Sequence, residues 1–263
     1  MLKIRCFTIL FYFLFILISI GKSQNNEQFH FVQITDSHLG YEKHNILMRK
    51  IVSSINDLPM QIDFIAHTGD IFQNNILNKK KTEIALEIFN KLESPIYFVP
   101  GNHDILHDNY KLTYKAYVKY LNRTDTAFIH KNIQLVFVYT EAFMDNLIPN
   151  YDEKLKWFKE TLNINKNIEK IVFHHSPSVD DFYNNKMHNG WDNEKRMEWE
   201  KILNSNNVKA VIAGHFHRGE MHWLGDVPLY ISPSIAGFWG RQASYRIYTY
   251  DSGKLSYRTV YIQ

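Results

Sequence analysis

Apolar residues recur along the chain with two different spacings, and these predict alternating strands and helices. Short apolar runs predict strands, whereas apolar residues that return every three or four positions predict helices, as Ile84, Ile88 and Leu92 do. The predicted strands are 29–34, 64–67, 96–99, 171–173, 211–213, 229–231, 245–250 and 255–262, and the predicted helices are 46–58, 79–92, 110–121, 152–162 and 193–203.

The order of these elements indicates the fold class. Residues 128–130 and 133–139 predict a hairpin that turns at Lys131-Asn132. Strand and helix alternate through most of the chain and a run of strands closes it, which predicts an α/β fold, a layered sandwich of two mixed β-sheets flanked by helices. A composition that is 45% hydrophobic and 22% charged can fill one globular core. We expect one domain over residues 24–263.

The first 23 residues have the layout of a secretory signal peptide. Lys3 and Arg5 precede an apolar run of about 15 residues, and Gly21-Lys22-Ser23 supplies small residues for cleavage. The alternative is an uncleaved membrane anchor, but this run is shorter than the roughly 20 residues that a spanning helix needs. We therefore expect an exported protein, secreted or periplasmic, with no membrane span after cleavage.

Removal of this segment changes the charge and the cysteine content. The chain has 30 basic and 27 acidic residues, and Lys3, Arg5 and Lys22 account for the whole excess. The remaining chain is formally neutral, so it shows no strong signal for nucleic-acid binding. The single cysteine, Cys6, lies in the removed segment, so disulfides have no part in the fold. Asn122 begins a sequon, which is an acceptor only in a host that glycosylates.

Five polar clusters follow predicted strands directly. Ligands in open α/β sheets bind beyond the carboxyl ends of strands, so we expect the clusters to converge on one site. Each motif alone has an ordinary structural explanation, such as a turn, a polar loop or an exposed strand face. The clusters are Asp36-Ser37-His38, Gly69-Asp70, Gly101-Asn102-His103-Asp104, His174-His175-Ser176-Pro177 and Gly214-His215-Phe216-His217.

The residue types in these clusters favour a metal centre. Imidazole nitrogen with carboxylate and amide oxygen, and no thiolate, suits Zn, Mn or Fe ions. Gly69, Gly101 and Gly214 each precede a candidate ligand, where we expect the chain to turn sharply at no steric cost.

The set of motifs resembles the five signature blocks of the calcineurin-like metallophosphoesterase superfamily. The resemblance spans residues 36–217 and implies a binuclear centre in which Asp70 bridges two divalent or trivalent ions. It implies one ion held by Asp36, His38, Asp70 and His217, and a second held by Asp70, Asn102, His175 and His215.

The resemblance also bears on the choice of one ligand and on the subfamily. His174 and His175 are adjacent, and His175 is favoured because the family block reads His-x-Pro, which Ser176-Pro177 completes. The purple acid phosphatases are disfavoured, because they carry a tyrosine where this chain has Gln73 and lack the histidine that His38 supplies.

The resemblance implies a hydrolase that cleaves phosphate mono- or diesters. Two ions about 3.5–4 Å apart can share a water, lower its pKa and clamp the attacking and departing oxygens. His103 would be catalytic, because its family equivalent contacts the phosphate or protonates the leaving group, and Asp104 would orient its ring.

Other functions and residues stay open at this point. The alternatives are an exported nuclease of the same superfamily and a catalytically silent metal-binding scaffold, but no expected ligand is missing. The sequence does not distinguish among substrates, metals or oligomeric states. A polar lip over the site at residues 180–190 is a weaker hypothesis, as are site roles for seven further residues, which are His188, Trp191, Trp199, His222, Phe238, Trp239 and Arg241.

Overall fold

The computed structural model describes residues 28–144, 151–179 and 190–263. Eleven strands in these ranges form two sheets. The first has the order β11-β10-β1-β2-β3, with β1 Phe29–Ile34, β2 Phe64–Thr68, β3 Ile96–Val99, β10 Ser244–Asp251 and β11 Lys254–Tyr261. The second has the order β4-β5-β6-β7-β9-β8, with β4 Thr126–His130, β5 Ile133–Phe137, β6 Glu169–Phe173, β7 Val208–Ala213, β8 Glu220–Leu224 and β9 Val227–Ile231.

Both sheets combine parallel and antiparallel strands. In the first sheet β1, β2 and β3 are parallel, and β10 and β11 add antiparallel strands at one side. In the second sheet β5, β6, β7 and β9 are parallel, and β4 and β8 are the antiparallel edges. Two mixed sheets confirm the predicted fold class.

Aromatic side chains fill the space between the two sheets. Phe31 stacks on Phe64 with ring centroids 4.8 Å apart, and its ring meets Phe173 edge to face at 5.7 Å. Phe137 stacks on Phe173 at 4.5 Å. Alternate residues of β1 face opposite ways, so Phe29 and Phe31 lie in this core, whereas Val32 belongs to the core beneath the helices.

Helices cover the outer faces of both sheets. They are α1 Glu42–Asn56, α2 Lys79–Phe89, α3 Tyr110–Leu121, α4 Glu141–Met144, α5 Tyr151–Ile164 and α6 Asn193–Asn204. Met48 and Ile51 of α1 share a core with the first sheet, and Phe158 of α5 stacks on Trp199 of α6 over the second sheet. The resulting layers are helix, sheet, sheet and helix, with the parallel strands ending at one side.

Several predicted boundaries differ from the observed ones by two or three residues, as at α2 and β7, and three departures are larger. Helix α1 begins at Glu42 rather than Ile46, because its polar first turn is held by contacts such as His44 Nδ1 to the His38 carbonyl at 2.7 Å. The edge strand β8 was not predicted, because its mixed residues alternate between partly buried and exposed. The one-turn helix α4 was also missed. The hairpin turn at Lys131-Asn132 is confirmed, and both residues have positive φ.

In the described ranges, no helix is both long enough and apolar enough to cross a bilayer. The predicted signal peptide, residues 1–23, lies outside the described residues.

Candidate metal centre

Loops that follow β1, β2, β3, β6 and β7 bring all seven predicted metal ligands together. The ligand atoms fall into two groups, and within each group they lie within 4.8 Å of one another. Asp70 belongs to both groups. The first group is Asp36, His38, Asp70 and His217, and the second is Asp70, His175 and His215, with Asn102 beside it.

The first group is buried at the base of a pocket and fits a cation. His38 Nε2 and His217 Nε2 face each other at 3.2 Å, and His217 Nε2 lies 3.0 Å from Asp36 Oδ1. Asp36 Oδ1 is buried, and among the described residues no hydrogen bond of good geometry reaches it. Lone pairs that converge on one point in a buried place are typical of a metal site.

The second group has the same character and the same spacing. His175 Nε2 lies 3.2 Å from Asp70 Oδ2, from His215 Nδ1 and from Asn102 Oδ1. The other ring nitrogen, His175 Nδ1, lies 2.8 Å from the Thr68 carbonyl and donates to it, because a carbonyl can only accept. This bond fixes the tautomer, so that Nε2 is free to bind a cation.

The two groups hold ionised carboxylates beside imidazole rings. Burial opposes ionisation of Asp36 and Asp70, but neighbouring histidines, His217 for Asp36 and His175 for Asp70, hold the pKa of each carboxyl below its usual value. Burial lowers the pKa of His38 to about 4, which keeps its ring neutral. Burial also disfavours the charged form of His175, but the Asp70 carboxylate raises the pKa of His175 well above its usual value. The enclosed negative charge therefore attracts a proton or a cation.

Thr35 and a backbone amide hold the Asp36 carboxylate in place. Thr35 Oγ1 donates to Asp36 Oδ2 at 2.7 Å, and the backbone N–H of His215 donates to the same oxygen at 3.0 Å. These bonds leave Asp36 Oδ1 directed at the histidines. Thr35 was not among the predicted site residues, since a threonine before an Asp-x-His motif carries no distinct signal.

Five of the seven predicted ligands have left-handed backbone conformations. Residues other than glycine seldom adopt positive φ, and such conformations cluster at functional sites. The φ angles are 51° at Asp36, 45° at His38, 53° at Asp70, 70° at His215 and 54° at His217.

The three glycines before the ligands are explained mainly by close contacts. Gly69 has the expected positive φ, 91°. The chain also turns directly after Gly101 and Gly214, where the backbone N–H groups of Asp104 and Phe216 donate to the two glycine carbonyls, but the φ angles of these glycines are not positive. A Cβ on Gly101 would lie 2.2 Å from Asp70 Oδ1, and one on Gly214 would lie 2.0 Å from Thr35 Oγ1. These two positions are glycine because the ligand loops touch there.

His103 lines the pocket in front of the centre, but Asp104 does not orient its ring. His103 Nδ1 lies 2.7 Å from Asn74 Oδ1, and the ring centroid lies 5.0 Å from that of His38. Asp104 instead accepts hydrogen bonds from the backbone N–H groups of Phe72 and Gly101, both at 2.8 Å. The predicted partnership is therefore wrong, because Asp104 points into the protein and Asn74 takes the expected place.

Asp104 is a buried carboxyl with a structural environment. Burial and, to a smaller extent, the nearby Asp70 carboxylate raise the pKa of Asp104 to about 7, although backbone donors favour the ionised form. Its side chain connects the loop after β2 with the loop after β3. Asn74, by contrast, was missed, since a single asparagine in a loop between two motifs gives no sequence signal.

The weaker candidates are separated by the structure. His174 packs against Trp191 and Trp199 at ring distances of 6.2 and 5.6 Å, which places its ring in the core beneath the second sheet and supports His175 as the candidate ligand. His222 pairs with Glu220 on the edge strand β8. His188 and most of the hypothesised lip lie outside the described residues.

Phe238 and Trp239 contact the site as the sequence suggested. They line a pocket of about 160 Å³ whose other lining residues include Gln73, His103 and candidate ligands of both groups. The Arg241 guanidinium lies over the Trp239 ring at 5.3 Å. The pocket is thus lined both by candidate metal ligands and by aromatic rings.

Comparison with known proteins agrees with this geometry. Residues 29–219 match the model of the calcineurin-like phosphoesterase family. The chain is 29% identical, over 210 residues, to a probable cyclic nucleotide phosphodiesterase of Colwellia psychrerythraea. This match covers 76% of this chain and 74% of the relative. It is also 29% identical, over 164 residues, to the DNA double-strand break repair protein Mre11 of Methanococcus maripaludis. That match covers 56% of this chain and 43% of that protein.

Solved structures show the same fold at low identity. The GAP50 anchor of the inner membrane complex of Plasmodium has a TM-score of 0.66 and 14% identity, over 89% of this chain and 84% of that one. A dimetal phosphatase from Danio rerio has a TM-score of 0.60 and 13% identity, over 89% and 98%. With the family match over residues 29–219 and a buried Asp and His cluster that could hold metal, this chain belongs to the calcineurin-like family and is a metal-dependent phosphoesterase.

Proposed function

We propose that the protein hydrolyses phosphate mono- or diesters at a centre of two metal ions. The observation that carries this proposal is the pair of ligand groups that share Asp70. Asp36, His38, Asp70 and His217 would hold one ion, and Asp70, Asn102, His175 and His215 would hold the other. Zn, Mn and Fe suit this set of nitrogen and oxygen donors.

A pair of bound cations would supply Lewis acidity, an activated water and neutralisation of charge on the phosphoryl oxygens. The chain contributes rigid placement of the ligands. Thr35 fixes Asp36, the Thr68 carbonyl fixes the His175 ring, and the backbone N–H of His103 donates to Asp70 Oδ1 at 2.9 Å. Because these bonds exist before substrate arrives, little reorganisation is needed during the reaction.

His103, which lines the pocket, would transfer a proton to the substrate. Asn74 Oδ1 can only accept, so His103 Nδ1 carries the hydrogen of the 2.7 Å bond. When the ring is doubly protonated, Nε2 also carries a hydrogen and would donate it to the departing oxygen of the ester, which leaves a neutral ring with its hydrogen on Nδ1. A positioned general acid of this kind contributes roughly 100- to 10,000-fold to rate.

Small phosphodiesters are the first substrates to test. The relative from Colwellia psychrerythraea is named as a probable cyclic nucleotide phosphodiesterase, and the match covers 74% of its length. A nuclease is the second candidate, and the similarity to Mre11 favours testing it, although this chain spans less than half of that protein.

The test compares a monoester and a diester chromogenic substrate on purified protein of known metal content. We expect Asp70→Asn to lose nearly all activity and part of its metal, because Asp70 belongs to both groups. Asp108→Asn is the matched control, since the Asp108 side chain is fully exposed and should tolerate the same change. Equal turnover in Asp70→Asn and the unaltered protein would overturn the proposal. Metal binding without hydrolysis of monoester, diester or single-stranded DNA would favour a silent scaffold.

We also propose that residues 1–23 direct export. The charged start, the apolar run and the small residues at its end support this. The amino-terminal sequence of protein recovered from the periplasm or medium tests it, and an intact first residue would contradict cleavage.

A further inference from the structure

One tryptophan at the mouth of the pocket is largely exposed to solvent. The Trp239 side chain is 71% exposed and lines the pocket with Gln73, His103 and the candidate ligands. Its ring centroid lies 5.1 Å from that of His217. A large aromatic ring that buries so little of its surface contributes little to the folding of the protein.

The backbone around this residue is unusual for an aromatic side chain. Trp239 has φ 56° and ψ 35°, the left-handed region, between Gly237 at φ 62° and Gly240 at φ 72°. Such a conformation has a conformational cost in residues other than glycine. A glycine would adopt this conformation without that cost.

The neighbouring residue anchors the segment to the candidate centre. The Phe238 ring lies 5.0 Å from the ring of His38, 5.3 Å from that of His44 and 5.1 Å from that of His217. These contacts keep the backbone of this segment next to the candidate centre, and the Trp239 ring lies beside the candidate ligand His217.

The Arg241 guanidinium adds positive charge at the same place. It lies over the Trp239 ring at 5.3 Å. An indole with a cation near it is a surface on which a planar aromatic group can stack, as nucleobases do on aromatic and arginine side chains.

We propose that Trp239 determines substrate specificity by stacking on a planar aromatic group, such as a nucleobase, of an ester whose phosphate lies at the candidate metal centre. This inference rests on the proposed phosphoesterase function. The indole selects the organic part of the substrate, while metal ions held by the ligand groups would bind the phosphate.

The test measures binding of two phosphate esters that differ only in the base. Adenosine 5′-monophosphate and ribose 5-phosphate are titrated by calorimetry into the metal-loaded protein. We expect the unaltered protein to bind the nucleotide about 10-fold more tightly, a factor within the range of stacking of one base on an aromatic side chain.

Three variants separate a binding role from a structural one. Trp239→Gly removes the ring and suits the left-handed backbone, so we expect unchanged or higher thermal stability and equal affinity for the two ligands. Trp239→Phe should keep part of the preference. Trp223→Ala is the matched control, because Trp223 is 61% exposed on the edge strand β8, is not a lining residue of this pocket and should leave the preference intact.

The outcomes distinguish this inference from the function on which it rests. Equal affinity of the unaltered protein for the two ligands, or an intact preference in Trp239→Gly, would overturn the stacking role alone. Failure of the unaltered protein to bind either ligand would overturn the phosphate site and the stacking role together.

Discussion

Single glycines set how closely the loops of the candidate centre approach each other. Because Gly101 has no side chain, the loop after β3 can lie against Asp70 and His175. In the same way, Gly214 allows the loop after β7 to contact Thr35 and Asp36. The sequence marks these glycines as special, but it does not distinguish a turn from a contact. That distinction depends on which loop lies opposite, and only the folded chain determines this.

Gly101→Ala should weaken metal binding without unfolding the protein. Its Cβ would lie 2.2 Å from Asp70 Oδ1 and 2.8 Å from the His175 ring, so the ligands must shift. We expect a loss in metal affinity of about 10- to 100-fold, as for other changes beside metal ligands. Metal content after dialysis against a graded chelator measures it.

Gly253→Ala is the control for this substitution. Gly253 has φ +85° in the turn between β10 and β11, and the nearest atoms to an added Cβ lie 3.6 Å away. It should cost about 1 kcal/mol in unfolding free energy and leave metal affinity unchanged. Equal affinities in the two variants would show that the Gly101 contact has no bearing on the ligands.

Asn74 gives a second prediction at the scale of one residue. Asn74→Ala removes the acceptor that holds the His103 ring, so kcat should fall by at least about 10-fold, within the contribution of a general acid. Metal content should not change, since Asn74 is outside both ligand groups. Asn74→Asp keeps an acceptor oxygen and should retain more activity. Wild-type kcat in Asn74→Ala would show that the ring needs no partner.

The helices and strands were predicted well where one face is apolar and poorly where function or an edge overrides the pattern. The strands that precede the ligands are confirmed, because buried parallel strands are short apolar runs. Strand β8 was missed because its mixed residues alternate between partly buried and exposed. The start of α1 was missed because its polar residues His44 and Asn45 form hydrogen bonds with the loop just before the helix.

The Asp104 side chain connects the loops that follow strands β2 and β3. Its two oxygens accept from the N–H groups of Phe72 and Gly101, which follow β2 and β3. Asp104→Ala would leave both buried donors unsatisfied, and we expect a loss of about 2 kcal/mol or more in unfolding free energy. Urea denaturation measures the loss. Asp108→Ala, at a fully exposed side chain, should change the unfolding free energy little, and equal losses would contradict the assigned role.

The candidate ligands come from both sheets of the molecule. Asp36, His38, Asp70 and Asn102 follow strands of the first sheet, and His175, His215 and His217 follow strands of the second. The sequence predicted this convergence because each cluster follows a parallel strand. It could not predict which atoms would face each other, since that depends on how the two sheets pack.

Removal of metal should therefore destabilise the whole protein. A cation that binds both sheets stabilises only the folded chain, and saturation at about 100 times the dissociation constant is worth roughly 2.7 kcal/mol. For a chain of this size we expect a chelator to lower Tm by about 5–10 °C. Thermal unfolding with and without chelator measures the shift, and Asp70→Asn should respond less. An identical Tm in both conditions would argue that no cation joins the sheets.

The pairing of β1 with β10 has a consequence for biosynthesis. Phe29 lies opposite Tyr250, so one edge of the strand that leads to Asp36 and His38 is covered by a segment translated long afterwards. Until that segment leaves the ribosome, β1 presents an open edge, which favours association with other chains. We then expect metal binding by the loop after β1 to occur only after β10 has been synthesised. Nascent chains on ribosomes stalled ahead of Ser244 should depend on chaperones.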